Sequence, residues 1–265
     1  MTCTLASINC PPKIEPWGRV DTHHAARSTP QVLSSTPNPL FRMLISFPTN
    51  GRTTSGYLSL PKSGSGAGLI VIQEWWGLVE HIKEVTDRFA AAGFVALAPD
   101  LYHGEQTKSP DQAGKLLMAL NIAAAGKDLR GAAEYLLNDN AVQPKKVGVV
   151  GFCMGGQLAL FAAQEHPDRI AAAVDFYGIH PNVTIQPSRL KIPVQGHFGK
   201  KDSSIKEDSA RALFERIGSE GGDAEAFFYN AGHAFFNDAR PEAYDSTSAG
   251  KAWERTLEFL RMHLV

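Results

Sequence analysis

Cysteine is scarce in this chain, and it has no long apolar run. Among the 265 residues, the cysteines are Cys3, Cys10 and Cys153. So small and odd a number gives no disulfide framework and leaves at least one thiol free. This cysteine usage is typical of a reducing compartment. Because no apolar run approaches the roughly 20 residues that span a bilayer, we expect a soluble, cytoplasmic protein with no membrane partner.

An excess of one charge is also absent. The chain has 26 Lys and Arg residues against 27 Asp and Glu residues, which gives a formal net charge of -1. A nucleic-acid-binding domain would show clustered basic residues, so we expect no nucleic-acid partner. Hydrophobic residues make up 43% of the chain. A domain of this length buries roughly three quarters of its unfolded surface, so its stability requires neither disulfides nor a metal.

The first 42 residues differ in composition from the rest. They contain six of the 16 prolines and show neither helical nor strand periodicity. They also lack the apolar residues that would offset the entropy of ordering, and the apolar segment of a secretory signal is missing. We therefore predict a flexible extension over residues 1–42 and one domain over residues 43–265. The Ser, Thr and Arg content of residues 1–42 leaves organelle targeting as an alternative role for the extension.

From residue 43 the apolar pattern becomes regular. Two short strand patterns, at 44–47 and 56–60, lie on either side of a turn-prone segment. Further strand patterns alternate with helical ones and cover residues 68–74, 94–98, 146–152, 171–177, 192–198 and 226–229. This order predicts an α/β fold with an antiparallel N-terminal strand pair, a mostly parallel central sheet and helices on both faces. In such a sheet, functional residues lie in loops at the carboxyl ends of the strands.

The most specific of these loops is residues 151–156, which read Gly-Phe-Cys-Met-Gly-Gly between a strand and an apolar helix. It matches the G-x-nucleophile-x-G elbow, with cysteine in place of serine. Glycines allow the close backbone approach of that turn, and the helix N-terminus favours a thiolate. A phosphate cradle needs a different glycine spacing, and an inert buried cysteine is the other alternative. The matching context favours Cys153 as a nucleophile.

A thiol nucleophile needs a base, and the base needs an orienting acid. His233 follows the last predicted strand, and Asp202 follows the strand before it. The chain order is thus nucleophile, acid, histidine, as in the hydrolases that carry this elbow. Other candidates remain open, namely His197 and His180 for the base and Asp175 for the acid.

A third loop, residues 73–77, reads Gln-Glu-Trp-Trp-Gly after the 68–74 strand. In elbow hydrolases, a loop in this position and the residue after the nucleophile each supply one backbone N–H to an oxyanion hole. Those residues would be Trp75 and Met154. Glu74 would face the nucleophile, or it is an ordinary charged residue at the end of a strand.

Four motifs occur together in register. They are Gln-Glu-Trp-Trp-Gly at 73–77, Ala-Pro-Asp-Leu-Tyr at 98–102, the elbow at 151–156 and Gly-His at 232–233. Over residues 43–265 the chain resembles the dienelactone hydrolase (carboxymethylenebutenolidase) family of α/β-hydrolases. The resemblance implies a Cys-His-Asp triad at Cys153, His233 and Asp202, a covalent acyl-enzyme and no cofactor or metal. It also implies that Glu74 holds the resting thiol neutral and helps to generate the thiolate.

The sequence departs from the chlorocatechol-pathway members at the two places where those enzymes carry arginines for a substrate carboxylate. Gly104 and Asn237 stand there instead. Bidentate arginine is the usual way to recognise a carboxylate, and neither residue replaces it. We therefore expect an ester or lactone substrate with a neutral, partly aromatic acyl part. The substrate-binding residues would be Trp76, Tyr102 and Phe235.

Two other functions fit the same sequence. A thiol nucleophile is compatible with thioesterase-like activity. A family member without turnover could instead bind ligands or sense redox state through Cys153. For the assembly, we expect a monomer or a small homo-oligomer.

Overall fold

Residues 40–49 and 51–265 are described by a computed structural model. The predicted extension, residues 1–42, therefore lies outside the described residues except at its last three positions. Those positions belong to the folded domain. Leu40 is buried, the first strand starts at Phe41, and Arg42 forms a 2.8 Å ion pair with Asp87.

The described residues form an eight-stranded sheet. Its strands are β1 (Phe41–Thr49), β2 (Arg52–Leu60), β3 (Gly66–Ile72), β4 (Val95–Pro99), β5 (Val142–Phe152), β6 (Ala172–Phe176), β7 (Val194–Gly199) and β8 (Ala224–Tyr229). They lie in the order β1-β2-β4-β3-β5-β6-β7-β8. The β1–β2 and β2–β4 pairs are antiparallel, and every other pair is parallel. The predicted fold class is confirmed.

Six helices surround this sheet in the described part of the chain. They are α1 (Glu80–Ala91), α2 (Pro110–Ala119), α3 (Ile122–Asn138), α4 (Met154–Glu165), α5 (Glu207–Ser219) and α6 (Ser246–Leu264). Helices α1 and α6 share one apolar core with the sheet, and α3, α4 and α5 share the other. Covering both faces is what the unbroken apolar strands require.

The strand β3 shows how its sequence serves both cores. Leu69 and Val71 belong to the core beneath α1 and α6, whereas Ile70 and Ile72 belong to the opposite core. All four side chains are fully buried. Burying one such side chain stabilises the fold by about 1.5–3 kcal/mol. The strand cannot slip by one residue without exchanging the two sets of side chains between the cores.

The parallel pairing brings the candidate residues to one edge of the sheet. Glu74 follows β3, Cys153 follows β5, Asp202 follows β7 and His233 follows β8. The carboxyl ends of parallel strands lie together, which is where ligands bind in open α/β sheets.

Candidate active site

A cleft of about 240 Å³ opens among these loops. Cys153 and His233 line it together with Glu74, Trp75 and Trp76. Other depressions on the described surface are larger, and one near Gly131 measures about 500 Å³. Size therefore does not locate the site. The cleft is distinguished by a partly exposed thiol next to an imidazole and a buried carboxyl group.

The elbow holds Cys153 in a strained conformation. Its φ is 53° and its ψ is -121°, a region that non-glycine residues rarely adopt and that costs on the order of 1–3 kcal/mol. A Cβ atom on Gly151 would collide with the carbonyl oxygen of Gly155, and one on Gly155 would lie 2.5 Å from the carbonyl oxygen of Gln73. Only glycine fits either position. The turn presents the thiol at the N-terminus of α4.

Asp202 fixes the orientation of His233. The Nδ1–H of His233 donates to Asp202 Oδ2 over 2.7 Å. Asp202 Oδ1 accepts from the amides of Ser204 and Ile205 at 2.7 and 3.0 Å, and its side chain is 1% exposed. Because the proton on Nδ1 is bonded to Asp202, the Nε2 side of the ring is left for Cys153.

The surroundings of His233 favour the imidazolium. Burial lowers the pKa of His233, but hydrogen bonds and electrostatic interactions with Asp202 and Cys153 raise it to about 10. For Asp202, burial raises the pKa, but the bonds from His233 and the backbone amides lower it below its ordinary value. The ring of Tyr177 packs edge-on against the imidazole at 5.2 Å. At neutral pH, His233 and Asp202 therefore form a charged pair.

Glu74 is a buried carboxyl group. Its exposure is 2%, so it is not a solvent-exposed charge at the end of β3. Its Oε2 accepts from Asn237 Nδ2 at 2.6 Å, and its Oε1 has no hydrogen-bond partner among the described residues. Burial raises the pKa of Glu74 more than the Asn237 hydrogen bond and the charges of His233 and Arg240 lower it. The protonated form is therefore favoured more than in an exposed glutamate.

The other candidates for base and acid do not line the cleft. His197 is fully buried and bonded to Tyr229 and Gln195, each at 2.8 Å. His180 is also buried, and its Nδ1 accepts from the amide of Asn182 at 3.1 Å. Asp175 lies within β6, where burial raises its pKa to about 7. The structure thus brings His233, bonded to Asp202, to the cleft with Cys153, and none of these three lines that cleft.

The predicted oxyanion donors occupy positions consistent with that role. Met154 is the first residue of α4, and the first amides of a helix have no intrahelical acceptor. Trp75 lies after β3 and lines the cleft. The Met154 amide therefore lies at the start of the helix directly after the thiol, and the Trp75 amide lies in a loop that lines the same cleft.

The substrate-binding predictions are only partly matched by the structure. Trp76 lines the cleft and packs edge to face with Trp75 at 4.9 Å. Phe235 does not line the cleft. Ala234, which adopts a φ of 58°, lines it instead. Phe235 is instead fully buried against Tyr177 and Tyr229.

Tyr102 also lies outside the cleft. It is buried, and its hydroxyl donates to Met154 Sδ at 3.1 Å. The ring lines a separate cavity of about 330 Å³, together with Leu101 and His103. Held against the elbow in this way, Tyr102 supports Met154 and does not contact the cleft.

Several residues of the cleft were not predicted from the sequence. They are Leu117, Ile179, Pro181, Ser204, Ala234 and Arg240. Ile179 and Pro181 follow the carboxyl end of β6, so the strand-end rule could have found them. Arg240 gave no such signal, since it lies several residues beyond His233 in an irregular loop. The sequence marked Asn237 only as the residue that stands in place of an arginine, and its contact with Glu74 was not predicted.

Comparison with known proteins identifies the family. Residues 54–264 match the sequence model of the Dienelactone hydrolase family. The chain belongs to that family. Protein usf of Aquifex pyrophilus is 37% identical over 228 residues, which cover 83% of this chain and 98% of that relative. A protein of Aquifex aeolicus named as a candidate carboxymethylenebutenolidase is 33% identical over 228 residues, with the same coverage.

A solved structure agrees with this assignment. The crystal structure of a candidate dienelactone hydrolase from Klebsiella pneumoniae superimposes with a TM-score of 0.77 at 28% identity, over 85% of this chain and all of that one. This dienelactone hydrolase family member therefore has the α/β-hydrolase fold and is a hydrolase.

Two other features are absent from the described residues. None of their helices is both long and apolar enough to cross a membrane. No group of three or more of their His, Cys, Asp or Glu side chains is arranged to hold a metal ion.

Proposed function

We propose that this dienelactone hydrolase family member hydrolyses esters or lactones through a covalent acyl-enzyme on Cys153. One observation carries the proposal. The elbow thiol, the buried Glu74 and His233, which is bonded to Asp202 over 2.7 Å, border a single cleft. A nucleophile and a base with its orienting acid are the parts that acyl transfer through a covalent intermediate requires, and Glu74 adds a second proton acceptor.

In acylation, the thiol proton of Cys153 passes to Glu74, whose raised pKa makes it a better acceptor than an exposed glutamate. The thiolate attacks the carbonyl carbon, and the π electrons move onto the oxygen. The amides of Trp75 and Met154 stabilise that oxyanion, and one such donor is worth about 3 kcal/mol. The intermediate then expels the alkoxide, which takes a proton from the His233 imidazolium.

In deacylation, His233 is neutral and is held by Asp202 in the tautomer that can accept a proton at Nε2. It deprotonates a water molecule, and the resulting hydroxide adds to the carbonyl carbon of the thioester. The C–S bond breaks, the carboxylic acid leaves, and Glu74 returns its proton to the Cys153 thiolate. One ester and one water thus give one acid and one alcohol, with all groups restored.

For the substrate, we propose an ester or lactone with a neutral, partly aromatic acyl part. Gly104 is exposed and lies outside the cleft, in a groove with Asp100. Asn237 is engaged with Glu74. Neither position can therefore grip a carboxylate. Trp75 and Trp76 give the cleft an aromatic wall, which suits flat apolar groups.

A lactone with a carboxylate is the second candidate, and Arg240 favours it. Arg240 lines the cleft with its guanidinium carbon 5.6 Å from the Trp76 ring, although it also pairs with Glu242 at 2.8 Å. A relative from Bradyrhizobium sp is 33% identical over 231 residues, which cover 82% of this chain and 92% of that relative. It is named as a candidate 2-oxo-3-(5-oxofuran-2-ylidene)propanoate lactonase.

The test of the mechanism is Cys153→Ala. This variant should lose about 10⁴-fold or more in kcat on aryl esters. Brief incubation with a slow ester, followed by peptide mass spectrometry, should find the acyl group on Cys153 and not on Cys3 or Cys10. Undiminished turnover in Cys153→Ala would refute the thiol mechanism.

The two substrate candidates are separated by kcat/KM for an acid and its methyl ester on one scaffold at low ionic strength. We expect the ester to be preferred. A preference for the acid that disappears in Arg240→Gln would establish the second candidate and overturn the first.

A further inference from the structure

Asn237 contacts one oxygen of Glu74 in the buried part of the site. We propose that Asn237 is a positioning residue that determines which Glu74 oxygen exchanges a proton with Cys153, namely Oε1. This inference rests on the proposed function, because it specifies the proton acceptor of the acylation step. No other described side chain bonds Glu74.

The orientation of the Asn237 amide follows from its neighbours. Its Oδ1 accepts from the amide N–H of Ala239 at 3.1 Å, and its backbone carbonyl accepts from the amide of Arg240 at 3.1 Å. An N–H must face an oxygen acceptor, so exchanging the amide oxygen and nitrogen would break the contact with Ala239. The Nδ2 group is therefore the one that faces Glu74, and it can only donate.

The donor has a consequence for the proton of Glu74. Oε2 accepts the Asn237 N–H at 2.6 Å, with both side chains at least 97% buried. In a protonated carboxyl group, the carbonyl oxygen is the better acceptor, so the proton belongs on the other oxygen. That oxygen is Oε1, which is buried and has no partner among the described residues. Glu74 lines the cleft beside Cys153, so the thiol proton has an acceptor whose lone pairs are unoccupied.

The neutrality of Asn237 matters as much as its geometry. The ionisable groups near Glu74 come from three segments, and they are His233 and Arg240 after β8, Tyr177 after β6 and Cys153 after β5. A cation at residue 237 would favour the carboxylate and oppose its protonation. An amide orients Glu74 without favouring one charge state so strongly, which allows the carboxyl group to gain and lose a proton in each cycle.

The loop that carries Asn237 is anchored from the opposite side. Asp238 pairs with Arg88 at 3.1 Å, and Arg88 belongs to α1. The residue after Asn237 is therefore paired with helix α1, and the Oδ1 of Asn237 is bonded to the backbone of the turn that follows. Asn237 is held in place before any substrate enters.

The decisive variant is Asn237→Asp. It keeps the shape and the acceptor for Ala239 but replaces the N–H donor with an oxygen that faces Glu74. Two carboxyl groups at this distance retain a proton between them. We expect the acid limb of the pH profiles of kcat/KM and of Cys153 alkylation to move upward by about one pH unit or more, which is about a 10-fold loss at a fixed pH on that limb.

The control is the same substitution in a Glu74→Gln background, where residue 74 cannot exchange a proton. There Asn237→Asp should produce no pH shift. An unshifted profile in the single variant, or an equal shift in the Glu74→Gln background, would overturn the inference while Cys153→Ala remained inactive. Turnover by Cys153→Ala would instead overturn the proposed function.

A second measurement covers the case in which Asn237→Asp does not fold. In Asn237→Ala, measured at a pH low enough to protonate Glu74, loss of the donor should raise the infrared stretching frequency of the Glu74 carbonyl group. The band should be absent in Glu74→Gln. The same variant should lose about 10-fold in kcat, with KM nearly unchanged. An unchanged carbonyl frequency would contradict the assignment of Oε2 as the oxygen held by Asn237.

Discussion

Asp202 is the residue on which the state of His233 depends most directly. We expect Asp202→Asn to lower kcat by about 10⁴-fold, as the same change does in a serine protease triad, because the amide would stabilise the wrong imidazole tautomer. Steady-state kinetics on an aryl ester would measure this effect. The matched control is Asp175→Asn, which alters a buried carboxyl group that does not contact His233 and should leave kcat within a few-fold. If the control is the damaging change, Asp202 is not the orienting acid.

The same substitution should also change the titration of His233. Asp202 helps to raise that pKa to about 10, so the value should fall in Asp202→Asn, as followed by NMR of the ring protons. Because the pKa of His233 is higher in the folded than in the unfolded state, protonation of His233 stabilises the fold. In the wild type, this contribution to the free energy of unfolding is complete below about pH 6.5 and is lost as the pH rises toward 10. An unchanged His233 titration in the variant would contradict the interpretation of the pair.

At the scale of single residues, the sequence was informative wherever a motif specifies both residue type and backbone geometry. The elbow identifies Cys153 because its glycines are explained only by a close approach of the backbone. Phe235 shows the limit of that reasoning. The direction of its side chain depends on Ala234, whose φ of 58° no sequence pattern indicated. Arg240 reaches the cleft through an irregular loop, so it too lay beyond prediction.

At the scale of elements, the N-terminus of α6 offers a clear test. Asp245 is the N-cap of this helix, and its Oδ1 accepts from the amide of Ser248 at 2.8 Å. Replacing such a cap with alanine costs about 1 kcal/mol, which lowers the melting temperature by roughly 2–4 °C at this size. Thermal unfolding of Asp245→Ala should show that loss. Asp245→Asn is the control, since asparagine caps equally well and should melt with the wild type.

The pH dependence of this cap has a defined sign. The hydrogen bonds from Ser248 hold the pKa of Asp245 below its ordinary value of 3.8. Its charged form therefore stabilises α6 above about pH 4, and the contribution is lost as the pH falls further. In acid, Asp245→Asn should therefore melt at a higher temperature than the wild type, and this difference should grow as the pH falls. A difference independent of pH would mean that the carboxylate charge contributes nothing to this helix.

The elements themselves were predictable because their apolar runs are fully buried, but their ends were less so. The strand β5 begins at Val142, four residues before the predicted start at residue 146. Its residues 143–146 are exposed, so no buried pattern marked them. Helix α1 begins at Glu80 without a side-chain cap from Val79, so it lacked the usual start signal. Boundaries were missed where backbone pairing continues beyond the core.

At the scale of the whole molecule, the sheet order creates contacts that no local pattern could reveal. Glu74 and Asn237 are 163 positions apart in the chain, yet the parallel pairing from β3 through β8 brings their loops to one edge. The sequence indicated the fold, and the fold placed the two loops together. The hydrogen bond between the two side chains also depends on the path of the loop after β8, which the apolar pattern does not encode.

The start of the domain gives the last prediction. Residues 1–39 lack a core-forming apolar pattern, so a chain starting at Leu40 should melt within about 2–4 °C of the full chain, the shift for a loss of about 1 kcal/mol. A chain starting at Met43 should melt lower still. It loses the pairing of Phe41 with Leu60 in the sheet and the Arg42 ion pair to Asp87.

The loss of Arg42 is costly because Asp87 is enclosed. The Asp87 side chain is 13% exposed and also accepts from the Tyr57 hydroxyl at 3.0 Å. Without Arg42, the mostly buried Asp87 carboxylate would lose the one ion pair that it forms among the described residues, which is unfavourable. Arg42→Gln in the chain starting at Leu40 separates this effect from strand pairing, and it should account for part of the loss. Equal melting temperatures for the chains starting at Leu40 and Met43 would show that residues 40–42 contribute nothing to the domain, in contradiction to their burial and pairing.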